Sequence, residues 1–140
     1  MVEHHGGCHC GNVRWTLRSL LTLSELPARA CQCGFCRKHG ALSTSDPQGE
    51  MRFAVRNHDA IVRYQFATKT ADFLICGRCG VYVGAQMKDD GRCYAIANLN
   101  TIDGRGEFAQ QAQRMDYSSE NSSARRVRRT TRWTPVGSPA

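Results

Sequence analysis

The chain has 140 residues, 41% of them hydrophobic and 22% charged. That balance excludes wholesale disorder and fits one domain with a modest core. The formal net charge is +7, but six Arg fall from Arg114 onward, against Asp116 and Glu120, so the excess is concentrated in the C-terminal segment. No apolar run approaches the ~18 residues of a membrane span, and "MVEHHGG" has no apolar secretory core. A soluble cytoplasmic protein is expected.

In chain order, "NVRWTLR" sets Val13, Trp15 and Leu17 on one face and Arg14, Thr16 and Arg18 on the other, the pattern of a half-buried strand. "SLLTLSELPAR" is apolar enough to pack but has a mixed pattern. A helical turn is expected after Cys36. "MRFAV" and "IVRYQF", separated by "RNHDA", read as a hairpin. "ADFLIC" and "VYVGAQM", flanking "GRCG", read as a second hairpin, and "CYAIANLN" as a further strand. A helical piece is expected within "GEFAQQAQRMD". From Tyr117 the composition is that of a Ser/Arg-rich flexible tail, yet Trp133, followed by Pro135 and Val136, predicts that its end docks on the body. The expectation is one β-rich domain over residues 1–140, with 117–140 as a distinct C-terminal segment.

Seven of the eight cysteines cluster. Cys8 and Cys10 are one residue apart, Cys31, Cys33 and Cys36 fall within six residues, and Cys76 and Cys79 flank a Gly-Arg pair. In a reducing compartment such clusters are more often metal ligands or catalytic thiols than disulfides. "CGRCG" resembles a zinc knuckle, its glycines permitting the turn that aims two sulfurs at one ion. Cys8 and Cys10, flanked by Gly7 and Gly11, are the natural partners, completing a four-thiolate structural zinc site with Cys76 and Cys79. Cys31, Cys33 and Cys36 are left as three ligands with one open position, the pattern of a catalytic zinc. A closed site completed by His39 or Cys93 is the alternative reading. Up to two zinc ions per chain are thus expected.

Other residues carry weaker signals. His4, His5 and His9 read as solvated, and Cys93 as a small core residue. Arg37 and Lys38 follow the triplet directly and are candidates to hold an anionic substrate, as is Arg78; surface charge is the competing reading for Arg37 and Lys38. "ARRVRRTTRW" holds five Arg in ten residues, but with one aromatic and no nucleic-acid module it reads as solvated strand or loop charge.

Together, "GGCHCGNVRW", "CQCGFCRKHGA" and "FLICGRCGVYVG" resemble the glutathione-dependent formaldehyde-activating enzyme family. "YAIANLNTID" and the terminal "RRTTRWTP" are similar to its more variable end. The resemblance implies a mainly β, zinc-tied domain of β-tent type with little helix. It implies a structural zinc on Cys8, Cys10, Cys76 and Cys79 and an active-site zinc on Cys31, Cys33 and Cys36. The implied activity is that of a carbon–sulfur lyase: glutathione adds to formaldehyde to give S-hydroxymethylglutathione, or the reverse. Gln32 stands where the family usually has a histidine. Small-molecule thiol and aldehyde substrates are the implied partners; a membrane or nucleic-acid partner is not expected, and a homo-oligomer is compatible with the sequence. The rival readings are a non-catalytic zinc-stabilised binding module with a basic tail, and a redox or metal-handling thiol protein.

Overall fold

A computed structural model of the chain describes residues 1–104 and 111–140. The fold is mainly β, as expected. Among the described residues, eleven strands and two α-helices follow one another as β1 (Val2–Gly7), β2 (Val13–Ser19), β3 (Arg29–Cys31), α1 (Gly34–His39), β4 (Ser43–Thr44), β5 (Glu50–Val55), β6 (Ile61–Tyr64), β7 (Asp72–Cys76), β8 (Tyr82–Asp89), β9 (Arg92–Asn98), β10 (Gln113–Met115), α2 (Ser122–Arg132) and β11 (Thr134–Ser138).

The strands form two wings that meet at β11. In one wing β1 pairs antiparallel with β2, and β2 with β5, Trp15 lying opposite Phe53. In the other, β6, β7, β8 and β9 form an antiparallel meander. Strand β4 joins β9, β3 joins β4, and β10 runs parallel to β3. The first half of β11 pairs with β9, Thr134 opposite Ala95, and its second half runs parallel to β5, Val136 opposite Met51. The β8–β9 hairpin turns at Asp90 and Gly91, both with positive φ (50° and 75°), the signature of a tight turn matched to strand twist.

Period-two alternation gives the second wing two buried faces. Leu74, Val83, Ala95 and Ala97 pack with Val13, Trp15, Leu17 and Met51 of the first wing. Their neighbours Phe73, Tyr82, Ala85, Met87 and Ile96 point the other way and pack with Cys36 and Trp133. The expected face of β2 is the buried one: Val13, Trp15 and Leu17 are all at most 1% exposed.

The hairpin expected between "MRFAV" and "IVRYQF" does not form. Both are strands, but β5 has both edges filled, by β2 and β11, and β6 pairs with β7. The intervening "RNHDA" serves instead as a brace. The Asn12 amide donates to the carbonyls of Asn57 and Ala60 at 3.2 and 3.1 Å and accepts from the Asn57 N–H at 2.9 Å. Gly77 N–H donates to Ala60 O at 2.8 Å.

Of the helical piece expected in "GEFAQQAQRMD", residues 106–110 lie outside the described residues, and Gln113–Met115 is strand rather than helix. The segment from Tyr117 is not a tail. Asn121 caps α2, its Oδ1 accepting from Ala124 N–H at 2.8 Å, and β11 follows directly. "ARRVRRTTRW" is therefore helical rather than strand or loop. Its Arg side chains are not simply solvated: Arg125 and Arg128 pair with Glu120, and Arg129 is buried. His4 is also buried, its Nε2 2.9 Å from Leu21 O.

Trp133 packs against the second face of the sheet at the junction of α2 and β11. Trp133→Ala is expected to cost about 3–5 kcal/mol, the range for truncating a large buried aromatic. A lowered urea midpoint at unchanged slope is the measurement that checks it.

Candidate functional site

Two turns of the sheet have nearly the same local structure. In the β1–β2 turn, Cys8 N–H donates to Val13 O at 2.9 Å, Gly11 N–H to Cys8 O at 3.2 Å, and Gly11 has φ 83°. In the β7–β8 turn, Cys76 N–H donates to Val81 O at 3.0 Å, Gly80 N–H to Cys76 O at 2.9 Å, and Gly80 has φ 78°. Each left-handed glycine reverses the chain so that two sulfurs face inward.

The two turns meet. The sulfurs of Cys8, Cys10, Cys76 and Cys79 all lie within 4.8 Å of one another. Cys8 and Cys10 sulfurs are 3.7 Å apart, and Cys10 and Cys76 sulfurs 3.6 Å. Four sulfurs at ~2.3 Å from a central zinc stand about 3.8 Å apart, so the spacing suits a tetrahedral ion. Backbone N–H groups of Val13, Arg78 and Cys79 point at these sulfurs, at 3.2, 3.4 and 3.5 Å, and favour their anionic form. Burial pushes the Cys8 thiol up to about 11. Burial also acts to raise Cys79, but hydrogen bonds from the Cys10 and Val81 backbone and from neighbouring thiols draw it to about 6.

Cys31, Cys33 and Cys36 form a second group, their sulfurs also within 4.8 Å of one another. They are set by two consecutive elements. Cys31 ends β3, Cys33 is the N-cap of α1, and Cys36 lies in the first turn of that helix. The Cys33 sulfur accepts from Cys36 N–H at 3.4 Å. Gly40 closes α1 in the left-handed conformation at φ 60°. Hydrogen bonds from the Cys31 and Cys36 thiols draw Cys33 down to about 2, and hydrogen bonding to Cys31 and Cys33, with burial, pushes Cys36 far above the ordinary thiol range. Among the described residues, neither His39 nor Cys93 joins the triplet; the His39 ring packs on Phe35 and Tyr82.

The triplet opens onto a cavity of about 680 Å³. One part of its wall is aromatic, with Phe35, Tyr64, Phe66 and Phe73 packed ring against ring at centroid separations of 4.6 to 5.7 Å. Trp133 contributes to another part. Gln32 lies on the wall, its Nε2 donating to Ala30 O at 2.9 Å and its Oε1 accepting from Arg114 at 3.1 Å.

Of the basic residues singled out in the sequence, Lys38 lines the cavity, whereas Arg37 and Arg78 are exposed and outside its lining. Arg78 sits in the four-sulfur turn. Sequence reasoning missed Arg29, Arg125, Arg128 and Arg129, which all line the cavity. The signal for Arg125, Arg128 and Arg129 was present in "ARRVRRTTRW" but was read as solvated charge.

A mainly β chain with two compact thiol groups, each spaced to take a metal ion, falls within the class of cysteine-rich, metal-compatible β proteins. Within that class its place is specific. Residues 3–118 match the family model for the glutathione-dependent formaldehyde-activating enzyme, and the chain belongs to that family. The match stops short of α2 and β11, including the terminal "RRTTRWTP". The fold is also similar to the crystal structure of a Rhodobacter sphaeroides protein, with a TM-score of 0.60 at 27% identity over 78% of this chain and 98% of that one.

A metal held by four thiolates contributes about 10 kcal/mol or more to folding, comparable with the whole stability of a small domain. Cys76→Ala is therefore expected to abolish the cooperative thermal transition, and a strong chelator to do the same to the unaltered chain. Circular dichroism melts alongside metal analysis check both.

Proposed function

We propose that the chain joins a thiol such as glutathione to a small aldehyde such as formaldehyde, forming the C–S bond of an S-hydroxymethyl adduct, or runs the reverse cleavage, with zinc at the triplet. The observation carrying this reading is that the cavity ends on a group of three thiols, while the four-thiol group lies apart from it. Cys8, Cys10, Cys76 and Cys79 would hold a structural zinc. Cys31, Cys33 and Cys36 would hold a second, which when bound offers its fourth position to a substrate thiol and keeps that sulfur deprotonated at neutral pH.

The chain's own residues account for the remaining requirements. The pairing of β3 and the capped first turn of α1 fix the three sulfurs on short, hydrogen-bonded elements, so little reorganisation accompanies substrate entry. Phe35, Phe66 and Phe73 shield the reacting sulfur from water and leave room for a small electrophile. Attack on the aldehyde carbon makes the C–S bond and moves the carbonyl electrons onto oxygen, which then takes a proton from solvent. The thiol and the aldehyde sum to the hydroxymethyl thioether, and cleavage runs the same bonds backwards. Gln32 does not titrate, and both ends of its amide are already engaged. Its role is to hold the β3–α1 corner rather than to carry a proton.

Two outcomes are expected. Cys33→Ala should reduce thiol-dependent formaldehyde consumption to the solution rate while costing only about 1 kcal/mol of stability through the lost cap, read by a formaldehyde assay beside a thermal melt. Gln32→His should introduce a pH step near ~6.5 in kcat/KM that the unaltered chain lacks, read from pH–rate profiles.

A further inference from the structure

Among the described residues, five basic side chains line the cavity, Arg29, Lys38, Arg125, Arg128 and Arg129, against the one carboxylate of Asp116. Two of them are already paired. Arg128 donates to both oxygens of Glu120, at 2.8 and 3.0 Å, and Arg125 shares the same carboxylate at 3.4 Å.

Arg29 and Arg129 are different. Among the described residues, neither has a carboxylate within ion-pair distance. Arg129 is 8% exposed. Its Nη1 donates to Thr70 Oγ1 at 2.8 Å, its guanidinium lies 4.8 Å from the Trp133 ring centroid, and its Nε is buried without any partner. Arg29 donates to the hydroxyl of Ser45, again a neutral oxygen. A buried cation without a counter-charge is costly. Buried Arg129 and half-buried Arg29 together create a positive potential in the cavity that a bound anion offsets. The planar guanidinium fork matches a carboxylate in particular.

We infer that the cavity selects thiols that carry a carboxylate, and that Arg129 and Arg29 are the specificity-determining residues that receive it. The inference rests on the thiol–aldehyde reading of the triplet and specifies the part of the substrate that lies away from the sulfur. The aromatic wall takes the apolar stem between the two ends. Arg129 belongs to α2, beyond residue 118 where the family match ends, whereas Arg29 lies within it, so this preference is built in part by a segment outside that match.

The test compares 3-mercaptopropionate with its methyl ester as thiol, each with formaldehyde, on the zinc-loaded full chain. Calorimetric titration with the unreactive thioether 3-(methylthio)propionate runs alongside. The acid is expected to be favoured by about tenfold or more in kcat/KM, the worth of one charged hydrogen bond. Arg129→Met should bring the ratio towards one and abolish thioether-acid binding, the acid rate falling much more than the ester rate. Arg129→Lys should keep much of the preference. If Arg129→Met does not fold, as judged by circular dichroism, Arg29→Gln carries the same comparison.

An acid-to-ester ratio near one in the unaltered chain, with no binding heat, overturns the inference. So does an equal fall in both rates on Arg129 substitution, which would make Arg129 a counter-ion of the triplet rather than a receptor for substrate. If neither thiol reacts but the thioether acid still binds in an Arg129-dependent way, the carboxylate site stands and the thiol–aldehyde reading falls.

Discussion

The convergence of two distant turns on four sulfurs is the constraint on which the rest of the molecule depends. Cys10 and Cys76 are 66 residues apart in sequence, yet their sulfurs lie 3.6 Å from each other. That contact pins the β1–β2 hairpin to the β7–β8 hairpin and brings the first wing against one face of the second. The core around Trp15 fills the space between them. With that face of β7–β9 occupied, the opposite face is left to α1, Trp133 and the aromatic cluster, and the cavity forms there. The four-sulfur group thus positions the three-sulfur group by deciding which face of the sheet is available.

The two groups divide the same chemistry by their surroundings. Both use sulfurs steered by backbone N–H groups at glycine-containing corners. The first is built from two facing turns that supply all four corners of a tetrahedron. The second is built on a single corner of the chain, β3 into α1, and one strand-to-helix corner supplies three sulfurs and no more. Its remaining side faces the cavity. In physical terms, completeness is set by how many chain segments converge on the group.

Much of this was legible in the sequence. The alternation of Val13, Trp15 and Leu17 fixed the buried face of β2, and the "GRCG" turn between two apolar runs marked the β7–β8 hairpin. Cysteine spacing separated the two thiol groups. The true partners of β5 and β6 were not legible, because adjacency in sequence was the only guide and the strand β11 that fills the edge of β5 lies far along the chain. Helix α2 was hidden for another reason. It has no apolar stripe; Val127, its one large aliphatic residue, is 63% exposed. The helix packs instead through the stems and heads of arginines, which hydrophobic periodicity does not register. Asn121 ahead of a Ser-Ser-Ala run was the readable sign of its start.

Strand β11 has a consequence for how the protein is made. It fills the edge of β5 and closes the seam with β9. Residues 50–55 leave the ribosome long before residues 134–138, so during synthesis β5 presents an open edge able to pair with another nascent chain. The sequence carries a safeguard at that place. Glu50 and Arg52 alternate with buried Met51 and Phe53, and they pair across the solvent face at 2.6 Å. Charges at such spacing discourage edge-to-edge association while the rightful partner is still being translated.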